Sequence, residues 1–377
     1  MKRACVLFML VMLPVLLPIL LFGQTKQSVP SSAAQDVGKP TPRTASNGDF
    51  LEFDFPSLHI GTAEYEEGPT GATVFYFPKG AAAAVDMRGG APGTTNTDWL
   101  QLGYNGLGLD AICFGGGSWY GLEAASGVRA ELLATKMKNP FEEVANVAGA
   151  IVYDFPGRTN TIYADKELGR AALRAARPNR FPLGARGAGR FTSVGKYIGR
   201  DYREQGGQGG AFRQLGATKI AVFTVVNALG AIVDRQGRTV RGLRDPQTGA
   251  RLSQADALRR LIEPAESQGA PPTPTPTPEA QKPTPANTTL TLVVTNQKLE
   301  YWQLRRLAVQ VHTSMGRAIQ PFQMQADGDV LFAATTAEVE NPRLPLNTLA
   351  VLASELAYDA VLSSIPREAE VRPGARP

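Results

Sequence analysis

Histidine and cysteine are almost missing from this chain, whose 377 residues hold two of each. His59, His312, Cys5 and Cys113 show no ligand spacing, which argues against a metal centre built from His and Cys. Cys5 falls in an apolar N-terminal run and leaves Cys113 without a partner, so a disulfide framework is excluded. Charge is thin as well: 19% of residues are charged, and 39 basic against 34 acidic side chains give +5. Removing Lys2 and Arg3 with a leader lowers that balance to +3 with no long basic run, which disfavours nucleic acid as a partner. Apolar residues, at 43%, are plentiful enough for a substantial core, and the length suits one large domain or two ordinary ones.

Lys2 and Arg3 precede an uncharged run from Ala4 to Phe22, closed by Gly23. Pro14 and Pro18 inside the run favour a signal peptide over 1–23 against the alternative, an uncleaved membrane anchor. Residues 24–48, rich in Ser, Pro, Thr and Gln, then form a flexible leader. These features predict an exported protein, periplasmic or secreted, with no stable membrane partner once the leader is removed. A second boundary is sharper, because residues 271–286 carry seven prolines in sixteen positions. Proline removes backbone donors and locks φ, so this segment is an exposed extended loop.

Strand-like and helix-like stretches alternate on both sides of that loop. Ala72–Phe77 and Ala81–Val85 read as a hairpin around Pro78-Lys79-Gly80. Asp110–Phe114 reads as a buried strand, and Ser118 as the N-cap of a helix reaching about Lys136. Lys219–Asn227 is a strand with Ile220, Val222, Thr224 and Val226 on one face, followed by a turn at Gly230 into Ala231–Val233. Beyond the prolines, Thr289–Val294 and Asp329–Thr335 read as strands. Asn296 caps a helix from about Lys298 to Ile319 with Leu299, Trp302, Leu307, Val311 and Met315 inward, and Asn347–Ser364 forms another helix. A strand that starts abruptly after an unstructured loop needs upstream partners, which predicts one interleaved α/β domain.

The glycine-rich stretches fail as phosphate or nucleophile motifs. Gly189–Lys196 has one residue too many for a phosphate loop, and Tyr197 follows where Ser or Thr is required. Gly184–Gly189 has the wrong order for a dinucleotide fingerprint, and Tyr120 spoils a nucleophile elbow around Ser118. His312 lies in an apolar helix and reads as structural rather than as part of a Ser-His-Asp triad.

The border Ala286-Asn287-Thr288-Thr289-Leu290 remains. A hydroxyl is a weak nucleophile that needs a nearby base, and a chain poor in His can obtain one by cutting before Ser or Thr. The freed α-amine, with a pKa of about 7.7–8, then sits on the residue that carries the hydroxyl. Thr288, at the start of a strand and preceded by an exposed loop, meets both conditions.

At this border the chain resembles the self-processing hydrolases that include L-aminopeptidase/D-esterases and β-peptidyl aminopeptidases. The resemblance rests on Asp86-Met87-Arg88-Gly89-Gly90-Ala91-Pro92-Gly93-Thr94, on Gly115-Gly116-Gly117-Ser118-Trp119-Tyr120-Gly121-Leu122, and on Asn287–Leu290 followed by Val293-Val294-Thr295-Asn296. It implies a four-layer αββα sandwich cut between Asn287 and Thr288 into an α chain, 49–287, and a β chain, 288–377, and a tetramer of such αβ units. It implies Thr288 as nucleophile, with its amine as base. Asn227 would supply the oxyanion amide and Asp329 the acid that orients the new amine, while Tyr153 would stand at the oxyanion side. Asp327 stands where relatives carry serine, which leaves its role open. Ile151 replaces an acidic residue that receives the substrate ammonium in better-known aminopeptidases, with Glu142 and Glu143 upstream as substitutes. Each residue also has a plain reading: Asn227 as a strand end, Asp327-Gly328 as a turn, Tyr153 as a core aromatic. The glycines of Arg88-Gly89-Gly90 and Gly115–Gly117 read as close-packed backbone lining the site.

The expectation is thus an exported, self-cleaving N-terminal-nucleophile aminopeptidase acting on short peptides, with no metal or organic cofactor. An acyltransferase on a similar scaffold, and a non-enzymatic exported binding protein with a proline hinge, are the alternatives.

Overall fold

The computed structural model describes residues 40–44, 48–103, 108–135, 144–156, 158–267 and 287–367. The expected leader peptide, most of the 24–48 segment, the proline loop 271–286, and Glu142 and Glu143 lie outside the described residues.

Eight strands and four helices build the frame. They are β1 (His59–Tyr65), β2 (Thr70–Met87), β3 (Leu109–Gly115), α1 (Glu123–Thr135), β4 (Val147–Ile151), α2 (Lys166–Arg174), β5 (Gly207–Leu215), β6 (Thr218–Asn227), β7 (Thr288–Gln297), α3 (Tyr301–Ser314), β8 (Val330–Val339) and α4 (Leu346–Ser363). One sheet runs β5-β6-β7-β8 to the second half of β2. The other pairs the first half of β2 with β1 and β3, and β3 with β4. Residues on alternate sides of each strand feed different cores, as the two-residue period requires. Ile220, Val222 and Val293 pack under α3 and α4 beside Leu307, Val311, Ala353 and Ala357. Ala221, Phe223, Leu292 and Phe332 turn inward to meet Phe75, Ile112 and Phe114 between the sheets. Ala111, Cys113 and Val74 face Val128, Leu132 and Leu168 of α1 and α2. Three cores between four layers make this an αββα sandwich. Strands from both sides of the proline segment share one sheet, since β7 lies between β6 and β8.

Four local expectations differ. Residues 72–85 form no hairpin: β2 runs through Pro78-Lys79-Gly80 as one strand of 18 residues. Gly80, at φ +78°, and a register shift between Tyr76 and Ala81 bend the strand from one sheet into the other instead of reversing it. Ser118 is not a helix cap. Its φ is +54°, it starts a 3₁₀ turn that precedes α1, and its hydroxyl accepts the Phe155 N–H at 2.9 Å. Asn296 lies within β7, accepting from Lys219 N, and α3 is capped by Glu300 with Gln303 completing a capping box. Trp302 points outward at 61% exposure, because two residues of helix place it about 200° from buried Leu304.

Candidate active site

Thr288 opens β7 in the middle of the first sheet, opposite Asn227 on β6, and only 1% of its surface is exposed. Its hydroxyl donates to the carbonyl oxygen of Asn287 at 2.5 Å. The same oxygen accepts the backbone N–H of Gly328, also at 2.5 Å. A β-carbon on Gly328 would stand 2.7 Å from the Thr288 hydroxyl and 2.6 Å from the Ala91 carbonyl, so the loop before β8 requires glycine here. Asn287 is tied at its other end, where its N–H donates to Ala326 O at 2.7 Å. The carbonyl beside Thr288 is therefore held in place, polarised by a fixed donor and touched by a hydroxyl.

Asp327 and Asp329 flank Gly328 and are fully buried. Asp329 accepts Thr289 N at 2.6 Å and Gln323 N at 3.1 Å, so it grips the residue after Thr288. Asp327 accepts Leu229 N at 3.2 Å and Met324 N at 3.0 Å. Burial lifts both carboxyls above the usual range. Asp329 is raised well above it, because Asp327 adds a like charge, while Lys196 partly offsets the lift at Asp327. The Arg88-Gly89-Gly90-Ala91 segment clamps this loop from outside: Arg88 N and Gly89 N donate to Asp329 O, and Ala91 N donates to Asp327 O at 2.9 Å. A β-carbon on Gly89 would strike the Asp327 carbonyl and the Asp329 nitrogen.

Asn227 joins this group to a residue that sequence reasoning missed. Its Oδ1 accepts Ser193 N at 3.0 Å and Lys196 Nζ at 3.1 Å, and its Nδ2 donates to the Tyr153 carbonyl at 2.9 Å. Lys196 Nζ also lies 3.3 Å from the Asn227 carbonyl. The lysine is presented by Gly195, at φ +75°, where a β-carbon would collide with Gly242 and Leu243. Enclosure of its amine pushes the Lys196 pKa down to about 7, against the pull of Asp327 and with Arg203 and Arg200 adding to the drop. The one sequence signal was a lysine after glycine in the segment rejected as a phosphate loop. Tyr153 reaches the site through its main-chain carbonyl, which accepts from the Asn227 amide.

The histidines stand apart. His312 is buried with Nδ1 on Asp86 at 2.9 Å, and burial lowers its pKa, while the ring of His59 sits edge-on to Tyr76. Gly116 and Gly117 bond to Gly71 and Asp154, and the Asp154–Arg158 pair at 2.6 Å is sealed from solvent. Ile151 is buried, its side chain against Gly93 and Gly121. Among the described residues, His, Cys, Asp and Glu nowhere gather in threes that could hold a metal ion.

A hydroxyl, an enclosed amine and a carbonyl pinned by an N–H, with two buried carboxyls, make up a set suited to acyl transfer at an amide. The family model of Peptidase family S58 matches residues 53–372. The chain belongs to peptidase family S58. It is 44% identical over 338 residues to a 6-aminohexanoate-oligomer endohydrolase of Paenarthrobacter ureafaciens, covering 86% of this chain and 88% of the relative. An uncharacterized aminopeptidase of Mycobacterium tuberculosis is 33% identical over 278 residues, covering 72% of this chain and 75% of its own length. The solved L-aminopeptidase D-Ala-esterase/amidase of Ochrobactrum anthropi, described as a variant of the Ntn hydrolase fold, superposes with a TM-score of 0.53 at 16% identity, over 85% of this chain and 88% of that one. This S58 chain is a hydrolase of amide bonds on an Ntn-hydrolase-like sandwich.

Proposed function

We propose that Thr288 is the nucleophile of an amidase that first cuts its own chain after Asn287. The observation that carries this reading is the double contact on the Asn287 carbonyl oxygen, from the Thr288 hydroxyl and the Gly328 N–H. In the self-cleavage, Thr288 Oγ1 bonds to the carbonyl carbon of Asn287 and the C–N bond to Thr288 breaks, which turns the amide into an ester. Gly328 N–H stabilises the oxyanion on the way. Water then cleaves the ester, leaving a carboxylate on Asn287 and a free amine and hydroxyl on Thr288.

This first step needs a base, and the α-amine of Thr288 does not exist before the cut. Lys196, whose pKa is lowered to about 7, sits beside Asn227 directly across the ladder from Thr288 and suits that task. It takes the hydroxyl proton and returns it to the departing nitrogen. Asn227 holds the lysine, Asp329 holds Thr289, and Asp327 sets the loop that aims Gly328. Once the chain is cut, the new amine serves as base for substrate hydrolysis, and the acyl group passes from substrate to Thr288 and then to water.

The substrate class that fits is a linear amide oligomer cut at an internal bond. Buried Ile151 stands where an ammonium-binding acid would mark an aminopeptidase, and the relative at 44% identity is named an oligomer endohydrolase. Export through residues 1–23 remains part of the proposal. Incubation of the purified protein with linear 6-aminohexanoate tetramer tests the reading. Dimer among the first products supports it, release of single units from the amino end alone indicates an aminopeptidase, and no cleavage refutes it.

A further inference from the structure

The loop that carries Lys196 also carries two arginines that the mechanism does not use. Ser193 and Val194 pair with Gln205 and Glu204, which makes residues 195–203 the loop of a small hairpin rooted on Asn227 through Ser193 N. Lys196 is near one end of that loop, and Arg200 and Arg203 are at the other, with a 3₁₀ turn over Arg200–Tyr202. Among the described residues, neither guanidinium has a carboxylate within ion-pair distance. The nearest one in sequence on the buried side, Glu204, is already taken by Arg241, Arg244 and Arg251. Asp201, exposed, acts on Arg203 only through its charge. Arg203 is half-buried, and a desolvated cation without a counterion is unfavourable unless a ligand supplies one. A planar guanidinium matches a carboxylate with two parallel hydrogen bonds.

We propose that Arg203, with Arg200 beside it, receives the terminal carboxylate of a linear amide oligomer bound at Thr288. This inference rests on the amidase reading above and adds its specificity: the acid end is read by the Lys196 loop, so linear acids are preferred over the same oligomers with a neutral end. Two observations support the placement. Glu204 pairs with Val194, so Arg203 closes the loop opposite Gly195 and next to Lys196, whose amine is 3.1 Å from Asn227 Oδ1, and both arginines add positive charge at that amine. An incoming carboxylate would relieve that crowding of positive charge.

The test compares the linear 6-aminohexanoate tetramer as free acid and as C-terminal primary amide, with kcat/KM measured for wild type, Arg203→Gln and Arg200→Gln. Wild type is expected to favour the acid by about tenfold or more, the scale of one charge-assisted pair. Arg203→Gln should bring that ratio close to one, Arg200→Gln should lower it part-way, and added salt should erode it in wild type. Arg200 is exposed, so its variant carries the test if Arg203→Gln is poorly folded. A wild-type ratio near one, or a ratio that neither variant changes, overturns the inference. So does an Arg203→Gln enzyme whose pH profile moves equally for both substrates, which would make the arginine a tuner of Lys196. If wild type cleaves neither form, it is the amidase reading that fails.

Discussion

Gly328 donates its backbone N–H to the carbonyl oxygen of Asn287 at 2.5 Å, and the space where a side chain would stand is closed by the Thr288 hydroxyl and the Ala91 carbonyl. One residue thus supplies both a polarising donor and the room for the hydroxyl that we propose as nucleophile. Gly328→Ala puts a β-carbon 2.7 Å from that hydroxyl, so either the hydroxyl or the loop must move. Self-cleavage should slow by about a hundredfold or more, the scale seen when an oxyanion donor is displaced. Following the intact chain by denaturing electrophoresis after expression checks this, and cleavage at the wild-type rate would contradict it.

Lys196 sets the expected pH dependence. Its amine accepts a proton only when neutral, and its pKa is lowered to about 7. Self-cleavage should therefore rise with pH through about 7 and level off above. Lys196→Met, similar in length and without a base, should remove this limb and leave the chain uncut for hours. The measurement is the cleavage rate of freshly refolded precursor between pH 5 and 9.

Replacing the neutral partner of that lysine by a charge should move the same limb. In Asn227→Asp a carboxylate would stand about 3 Å from Nζ, where the wild-type amide oxygen lies at 3.1 Å. An adjacent negative charge favours the ammonium form, so the acid limb should shift to higher pH by about one unit or more. An unchanged limb would show that Lys196 is not the titrating group.

The same lysine ties stability to pH, best read on Thr288→Ala, because the proposed self-cleavage would leave the wild type in two pieces that do not unfold as one unit. The native pKa of about 7 lies below the ordinary lysine value of 10.5, so between these values the unfolded chain binds the extra proton. Stability from this group is full above the unfolded value and is lost as pH falls towards 7, with a slope of at most about 1.4 kcal/mol per pH unit. Urea midpoints between pH 7 and 10 should rise less steeply in Thr288→Ala/Lys196→Met than in Thr288→Ala alone.

Parts of this arrangement were legible in the sequence for a physical reason. Thr288 stands out because a proline-rich run of sequence gives way at once to a strand-like one, and the structure places that strand between β6 and β8. The alternating faces of Lys219–Asn227 were readable because a two-residue period decides which core each side chain enters. Lys196 was not readable: it meets Asn227 across 31 residues, and nothing local to Val194-Gly195-Lys196 signals that contact. Gly80 misled for a related reason. A glycine with positive φ serves a bulge as well as a reversal, and only the pairing of Thr335 with Ala82 shows which. Tyr153 was read at the oxyanion side, and the contact it makes with Asn227 is through its main-chain carbonyl, which residue type does not encode.

The most direct test of Thr288 as an N-terminal nucleophile is intact mass spectrometry of the purified protein beside its Thr288→Ala variant. The account predicts two fragments for the wild type, the smaller one beginning at Thr288 and ending at Pro377, and one uncut chain for the variant. A wild-type protein that stays whole, a fragment that begins at any other residue, or a variant cut at the same bond would contradict it.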